Sequence, residues 1–315
     1  MNSEIDRFYS HGKLLLTGEY LVMYGSKSLA LPVKFGQEMK VIQSNRNTLK
    51  WEAFIKENSW FETEFTVPGI EINSSSDQEK ALYLKRVIQA AKEANPFFLT
   101  NQNGFLVKNH LEYLQEWGLG SSSTFINNLA RWAQIDPFDL HHRISGGSGY
   151  DIACAGAESP VTFQISEGKP HWKEINYHPP FSGNLYFIFL GEKKNTNESI
   201  RVFKEYYKAN TQDVEFISGL TEQWLKAENL SMAIHLLNTH EAFMGNLLKT
   251  DPVKQLLFPD FKGAVKSLGA WGGDFVMAAS PLDFEEVKSY FRKNNFNTIF
   301  KYEDIVLNKY LDFKS

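Results

Sequence analysis

The amino-acid sequence predicts an α+β protein of two lobes, and three observations carry the expectation. The chain opens with several short stretches of strand-like patterning separated by polar turns. A helical period then takes over, and in the last third strands return interleaved with helices.

The early stretches "GKLLLTGEYLVMY", "QEMKVIQS", "LKWEAFIK" and "WFETEFTV" read as strands. In "QEKALYLKRVIQAAKEA" the spacing changes, and Leu82, Val87, Ile88 and Ala91 are expected to share one helical face. "GFLVKNHL" is the next strand, followed by the loop "EWGLGSSSTF". Phe125, Leu129, Trp132 and Ala133 then continue as one apolar helical stripe, so the loop should lie between a strand and a helix N-terminus. A second small-residue cluster, "SGGSGYDIACAGAESPVTFQI", ends in a strand, and "GNLYFIFLG" is an apolar strand suited to burial. Helices are expected within Glu198–Lys208, Val214–Lys226 and Ala233–Leu248. The tail reads strand, strand, helix, strand through "GAVKSLGA", "GGDFVMAAS", "PLDFEEVKSYFRKN" and "NTIFKYEDI". The turn cluster "HPPFSGN" places the lobe boundary near Phe181, giving lobes of residues 1–180 and 181–315.

Composition narrows the function classes. With 315 residues, 43% hydrophobic and 22% charged, the chain can build a sizeable core. A net charge of −4 without a Lys/Arg block argues against wrapping nucleic acid or lying on an anionic membrane. The first twenty residues lack the pattern of a signal peptide, and no apolar run reaches the length of a membrane span. The lone Cys154 rules out an intramolecular disulfide and suits a reducing compartment, so a cytoplasmic location is expected. Cys154 falls in an apolar run, which favours packing over redox work.

Three flexible loops carry the candidate chemistry. Gly118 and Gly120 remove Cβ atoms where an anion would approach helix N-terminal amides. Ser121, Ser122 and Ser123 add hydroxyls that can bind phosphate oxygens or Mg²⁺. A plain serine cap after a glycine turn would look similar. The loop is neither a Walker A motif, since no Lys follows the glycines, nor a dinucleotide fingerprint, since the third glycine is missing. Lys13 sits at the start of an apolar strand, a poor place for packing lysine, unless it lies on an edge. Asp151 follows small residues and precedes an apolar stretch, where it could equally cap a helix. "KSLGAWGGDF" supplies a third glycine-rich turn between strands. His141 and His142 are adjacent, so on a helix they diverge by about 100° and are poorly placed to share a metal.

The order "GKLLLTGEY", "GLGSSS", "GSGYDIACA", "KSLGAWGGD" resembles the GHMP small-molecule kinases over Gly12 to Asp274. The resemblance implies a ribosomal-protein-S5-like N-terminal lobe and a ferredoxin-like C-terminal lobe, with ATP and Mg²⁺ as cofactors. It places the ATP phosphates on Gly118, Leu119, Gly120, Ser121, Ser122 and Ser123, with Ser122 as the Mg²⁺-binding hydroxyl. It makes Asp151 the base and Lys13 its cationic partner, and puts Glu19, Tyr20, Gly149, Gly269 and Trp271 at the acceptor substrate. The partner is then a small molecule, with neither nucleic acid nor membrane, and the protein a monomer or homodimer.

Within the family, "GEY", the loop "EWGLGSSS" and "GGD" are similar to the phosphomevalonate kinase branch, whereas Tyr150 and Asp151 also fit the mevalonate kinase pattern. Trp271 replaces a small residue of the third motif, and Glu116 puts negative charge just before the phosphate loop. The second metal ligand is unassigned, with Asp139 alone in roughly the expected region. Cations for an acceptor phosphate could come from Lys13, Arg143, Lys193 or Lys194. The expected function is phosphoryl transfer to phosphomevalonate. Mevalonate kinase, another family kinase, a diphosphomevalonate decarboxylase and a silent nucleotide-binding homologue remain open.

Overall fold

The computed structural model describes residues 5–100, 104–191, 196–208, 210–269, 271 and 274–312. Lys193, Lys194, Gly272 and Gly273 lie outside the described residues. The chain separates into two compact units, residues 1–12, 35–115 and 120–156 in one, and 13–34, 116–119 and 157–315 in the other. Two long strands, β1 (Ile5–Thr17) and β2 (Ser28–Ser44), pass from one unit to the other and pair together.

In the first unit β3 (Thr48–Ile55) and β4 (Asn58–Thr66) form a hairpin, extended on one side by β5 (Ile72–Ser75). Their alternation decides which face is covered: Leu49 opposes Phe65, Trp51 opposes Thr63 and Ala53 opposes Phe61, all buried. Helix α1 (Gln78–Ala94) starts on Asp77, whose carboxylate accepts the Lys80 amide at 3.1 Å. Val87, Ile88 and Ala91 face the core as expected, but Leu82 does not and is 54% exposed. At about 100° per residue Leu82 stands some 160° from Leu84, and Ala81 and Leu84 complete the stripe instead. Strand β6 (Gly104–Leu111) runs parallel to β3 and antiparallel to β2.

Helices α2 (Ser121–Trp132), α3 (Pro137–Ile144) and α4 (Tyr150–Ala155) complete this unit. Leu129 and Ala133 are buried, and Phe125 and Trp132 pack partly buried on the same core, so the α2 stripe stands. A polar side of α2 is buried too. Asn127 Nδ2 donates to Ser10 Oγ at 2.8 Å, Ser10 donates to Asn128 Oδ1 at 2.7 Å, and Asn128 Nδ2 donates to the Gln37 carbonyl at 2.8 Å. Buried polar groups with complete partners have few alternative arrangements, so these bonds fix how α2 lies on β1 and β2.

In the second unit β7 (Val161–Ser166) and β8 (Lys169–Glu174) form a hairpin beside the first residues of β2. The rest is β9 (Leu185–Phe189), α5 (Thr196–Tyr206), α6 (Thr211–Leu225), α7 (Leu230–Leu248), α8 (Val253–Leu257), β10 (Ala264–Ser267), β11 (Phe275–Ala279), α9 (Phe284–Lys293), β12 (Ile299–Lys301) and the short helices α10 (Tyr302–Ile305) and α11 (Lys309–Asp312), with single 3-10 turns between. The antiparallel order β10-β11-β9-β12 with helices between is the ferredoxin-like β-α-β-β-α-β arrangement that was expected. Helix α9 is set by a capping box between Asp283 and Glu286. The strand expected across "GKLLLTGEYLVMY" stops at Thr17. Gly18 and Tyr20 take left-handed backbone, and Leu21–Tyr24 is a single 3-10 turn.

Candidate active site

In the first unit the candidate site is built on the start of α2. Its N-cap is Gly120, with φ of 88° and no side-chain cap, so neither a Cβ nor a capping oxygen covers the first helical amides. Ser123 and Thr124 amides already donate to the Gly120 carbonyl, at 3.0 Å each, so the donors left for a ligand are those ahead of them. The three serines point differently. Ser122 is exposed, with its Oγ 3.3 Å from the Tyr83 hydroxyl. Ser123 is buried and donates its hydroxyl to Asp151 Oδ2, while Asp151 Oδ1 accepts the Ile152 amide at 3.1 Å. Two donors therefore hold the Asp151 carboxylate in one orientation in the first turn of α4.

Gly149 caps α4, and a Cβ there would meet the Phe138 ring at 3.1 Å. His141 is buried, and burial holds its imidazole below the usual range despite the opposing pull of Asp151. Its neighbour His142 is exposed, with the ring centroids 5.9 Å apart. Asp139 pairs with Arg143 at 3.1 Å one turn on, which occupies both a candidate metal carboxylate and a candidate phosphate cation.

In the second unit Lys13 donates its amide to the Leu119 carbonyl at 2.8 Å and its ammonium to the Gly118 carbonyl at 3.0 Å. Gly118, at φ 65°, has no room for a side chain, since a Cβ would lie 2.3 Å from Asp274 Oδ2. The same carboxylate oxygen is 3.8 Å from the Cβ position of Gly269. Trp117 anchors this stretch against Phe189, Phe275 and Phe300. Glu116, one residue earlier, is exposed, so its charge is solvated.

Glu19 and Tyr20 are not open to solvent: they are 1% and 9% exposed. The Glu19 carboxylate is bound by the Lys266 ammonium, and its Oε2 lies 3.1 Å from His240 Nε2. Burial alone would push this carboxyl up, but Lys266 and then His240 hold it below the ordinary range. Tyr20 packs its ring against that of Phe203, tilted by 35° with centroids 4.7 Å apart. Trp271 is buried with φ of 55°, unusual for a bulky residue.

Sequence reasoning missed Tyr83, Lys266, His240 and Glu241. Lys266 had a usable signal, since a lysine inside the apolar strand "GAVKS" is as anomalous as Lys13 in its own. His240 and Glu241 had none, being ordinary members of a long helix.

In the first unit the residues fit a phosphate group, through the uncapped α2 amides and the Cβ-free Gly120 that precedes them. They fit Mg²⁺ through the exposed Ser122 hydroxyl, in the manner of an ion that takes most of its oxygens from phosphate and water. Among the described residues no three His, Cys, Asp or Glu side chains cluster as a protein-only metal site, and no helix is long and apolar enough to cross a membrane.

No protein-family model and no curated protein matches the chain. Solved structures do. A Methanococcus jannaschii mevalonate kinase matches at 14% identity over 98% of this chain and 99% of its own, with a TM-score of 0.68. A Streptococcus pneumoniae phosphomevalonate kinase in complex with phosphomevalonate and AMPPNP matches at 15% identity over 96% and 98%, with a TM-score of 0.68. A Lactococcus lactis galactokinase complexed with galactose matches at 14% identity over 97% and 94%, with a TM-score of 0.71.

Proposed function

We propose that this chain, which has the fold of the GHMP small-molecule kinases, transfers the terminal phosphoryl group of ATP to a small acceptor, with phosphomevalonate as the foremost candidate. The observation that carries the reading is the uncapped α2 N-terminus together with the Ser123–Asp151 hydrogen bond. One end of the helix can receive a phosphate, and a carboxylate is tethered to its first turn.

Mg²⁺-ATP supplies the phosphoryl group and the charge that offsets its oxygens. The chain's own part is to bind and orient. The amides at Gly120, Ser121 and Ser122 are assigned to the phosphate oxygens, and Gly118 and Leu119 are assigned to the same side on the motif "GLGSSS" alone. Ser122 is the metal-side hydroxyl. The acceptor oxygen forms the new bond to the phosphorus, the bond to the ADP oxygen breaks, and Asp151 takes any proton the acceptor gives up. Lys13, whose ammonium donates to the Gly118 carbonyl, is assigned as the cation that offsets the charge developing in transfer. Gly149, Gly269 and Trp271 are assigned to the acceptor side. Tyr20 and Glu19 are assigned there through the shape of their turn rather than through direct contact, because both are buried. Residues 1–180 and 181–315 are read as the family's N- and C-terminal domains.

The preference for phosphomevalonate rests on "GEY", the loop "EWGLGSSS" and "GGD". ADP release from Mg²⁺-ATP by the purified protein, with mevalonate, phosphomevalonate, homoserine and galactose offered separately, tests it. Turnover with phosphomevalonate is expected. Turnover with mevalonate alone moves the acceptor to the other branch, release of carbon dioxide with ADP identifies a decarboxylase, and silence with all four removes the kinase reading for these acceptors.

A further inference from the structure

We infer, on the kinase reading proposed above, that Lys266 and Glu241 are positioning residues that hold the Gly18–Tyr20 turn and the end of β10 in one arrangement. Four ionisable side chains meet inside the second unit: Glu19 from the turn after β1, Lys266 from β10, and His240 and Glu241 from α7. They are 1%, 0%, 2% and 2% exposed. Lys266 donates to Glu19 Oε1 and also to the Ser267 carbonyl at 2.8 Å. Glu241 Oε1 accepts the Ser267 amide at 3.0 Å. The last two residues of β10 are thus gripped twice, Lys266 by the turn and Ser267 by α7.

What lies next to this grip explains its use. One residue beyond Glu19 is Tyr20, at φ 59°, and the chain beyond Ser267 runs to Gly269, Trp271 at φ 55°, and Asp274. Aromatic residues in left-handed backbone are costly and persist where the surroundings leave no alternative. A buried ion pair is a weak source of stability, since apolar side chains of similar volume often serve as well or better. Its directional bonds do what apolar contacts cannot, which is to fix two segments 247 residues apart in one register.

The charge state follows from the neighbours. Burial, and then Lys266, hold His240 below the imidazole range, so it is neutral. Burial pushes the Glu241 carboxyl up to about 8, with Glu19 adding to the rise and Lys266 opposing it. At neutral pH the cluster holds one anion, Glu19, balanced by one cation, Lys266. Ionisation of Glu241 adds a second anion that competes with Glu19 for Lys266.

The test uses full-length wild type, E241Q and the double variant E19Q/K266M, which leaves no charge of the ion pair unpartnered. Turnover and KM for Mg²⁺-ATP are followed from neutral to alkaline pH, and amide hydrogen exchange of the ligand-free proteins is compared at one pH. Wild-type turnover should decline as pH rises through about 8, and E241Q should keep neutral-pH turnover and lose that decline. E19Q/K266M should fold but turn over ~10²-fold slower, with a nearly unchanged KM for Mg²⁺-ATP. Its amides at Ser267–Gly269 and Leu21–Val22 should exchange faster than wild type. A double variant with wild-type turnover, or an alkaline decline identical in wild type and E241Q, overturns the positioning role. If the wild type turns over no acceptor, the kinase reading falls by itself, and exchange still decides: unchanged protection at the Leu21 and Val22 amides in the double variant refutes the grip.

Discussion

Ser123, in the first turn of α2, donates its hydroxyl to Asp151 Oδ2, in the first turn of α4. The helix start that suits a phosphate and the carboxylate that suits a proton are joined by one hydrogen bond. Asp151→Asn keeps the shape but removes the negative charge. Turnover should fall ~10²–10⁴-fold, while Mg²⁺-ATP affinity measured by calorimetry stays within a few-fold. Ser123→Ala should cost less, ~10-fold, because the Ile152 amide still orients Asp151. Turnover near wild type in the Asn variant would take Asp151 out of the mechanism.

Ser122 is exposed and Ser123 is not, so the two serines should separate in metal titrations. Ser122→Ala is expected to raise the Mg²⁺ concentration needed for half-maximal activity, leaving turnover at saturating Mg²⁺ closer to wild type. Titration curves that superimpose would assign the metal to another group.

The loop glycine Gly118 differs from an ordinary helical one. Gly118→Ala puts a Cβ 2.3 Å from Asp274 Oδ2 at φ 65°, and should both destabilise the protein and raise KM for ATP. Left-handed backbone alone costs about 1–2 kcal/mol for a side-chain-bearing residue. Gly219→Ala, inside α6 with nothing within 4 Å of the new Cβ, should instead stabilise by about 0.5–1 kcal/mol. Denaturant midpoints of the two variants decide it; a shift in the same direction for both would refute the contrast.

Glu241 links stability to pH. Its folded pKa is raised above its unfolded value, from 4.5 to about 8, so the native state binds a proton that the unfolded chain has released. The contribution is fully present below 4.5 and is lost as pH rises through about 8. Across that window stability should fall with a slope of at most ~1.4 kcal/mol per pH unit from this group. E241Q should flatten the slope, which chemical denaturation at several pH values measures. An E241Q protein with the wild-type slope would show that Glu241 titrates normally.

Much of this was legible from residue patterns. The helices within Glu198–Lys208, Val214–Lys226 and Ala233–Leu248 match α5, α6 and α7 within a few residues, because period and turn signals act locally. Leu82 failed because its place was inferred from hydrophobicity, while the angle it makes with Leu84 puts it on the solvent side. The strand through "GEYLVMY" failed because two residues of left-handed backbone, one of them Tyr20, end it, and an aromatic there is not a turn signal.

The sequence by itself determined α1, α2, α5, α6 and α7 and most of the strands, that a glycine stands before the start of α2, and which lysine and aspartate stand out from their surroundings. Only the tertiary structure decided which serine meets Asp151, that Gly118 rests against Asp274, and that Glu19 is enclosed by Lys266, His240 and Glu241. The first set depends on neighbours a few residues away, whose geometry the backbone repeats at every turn. The second depends on segments from 28 to 247 residues apart, brought into contact when the core closes, and no local period records which of them will meet.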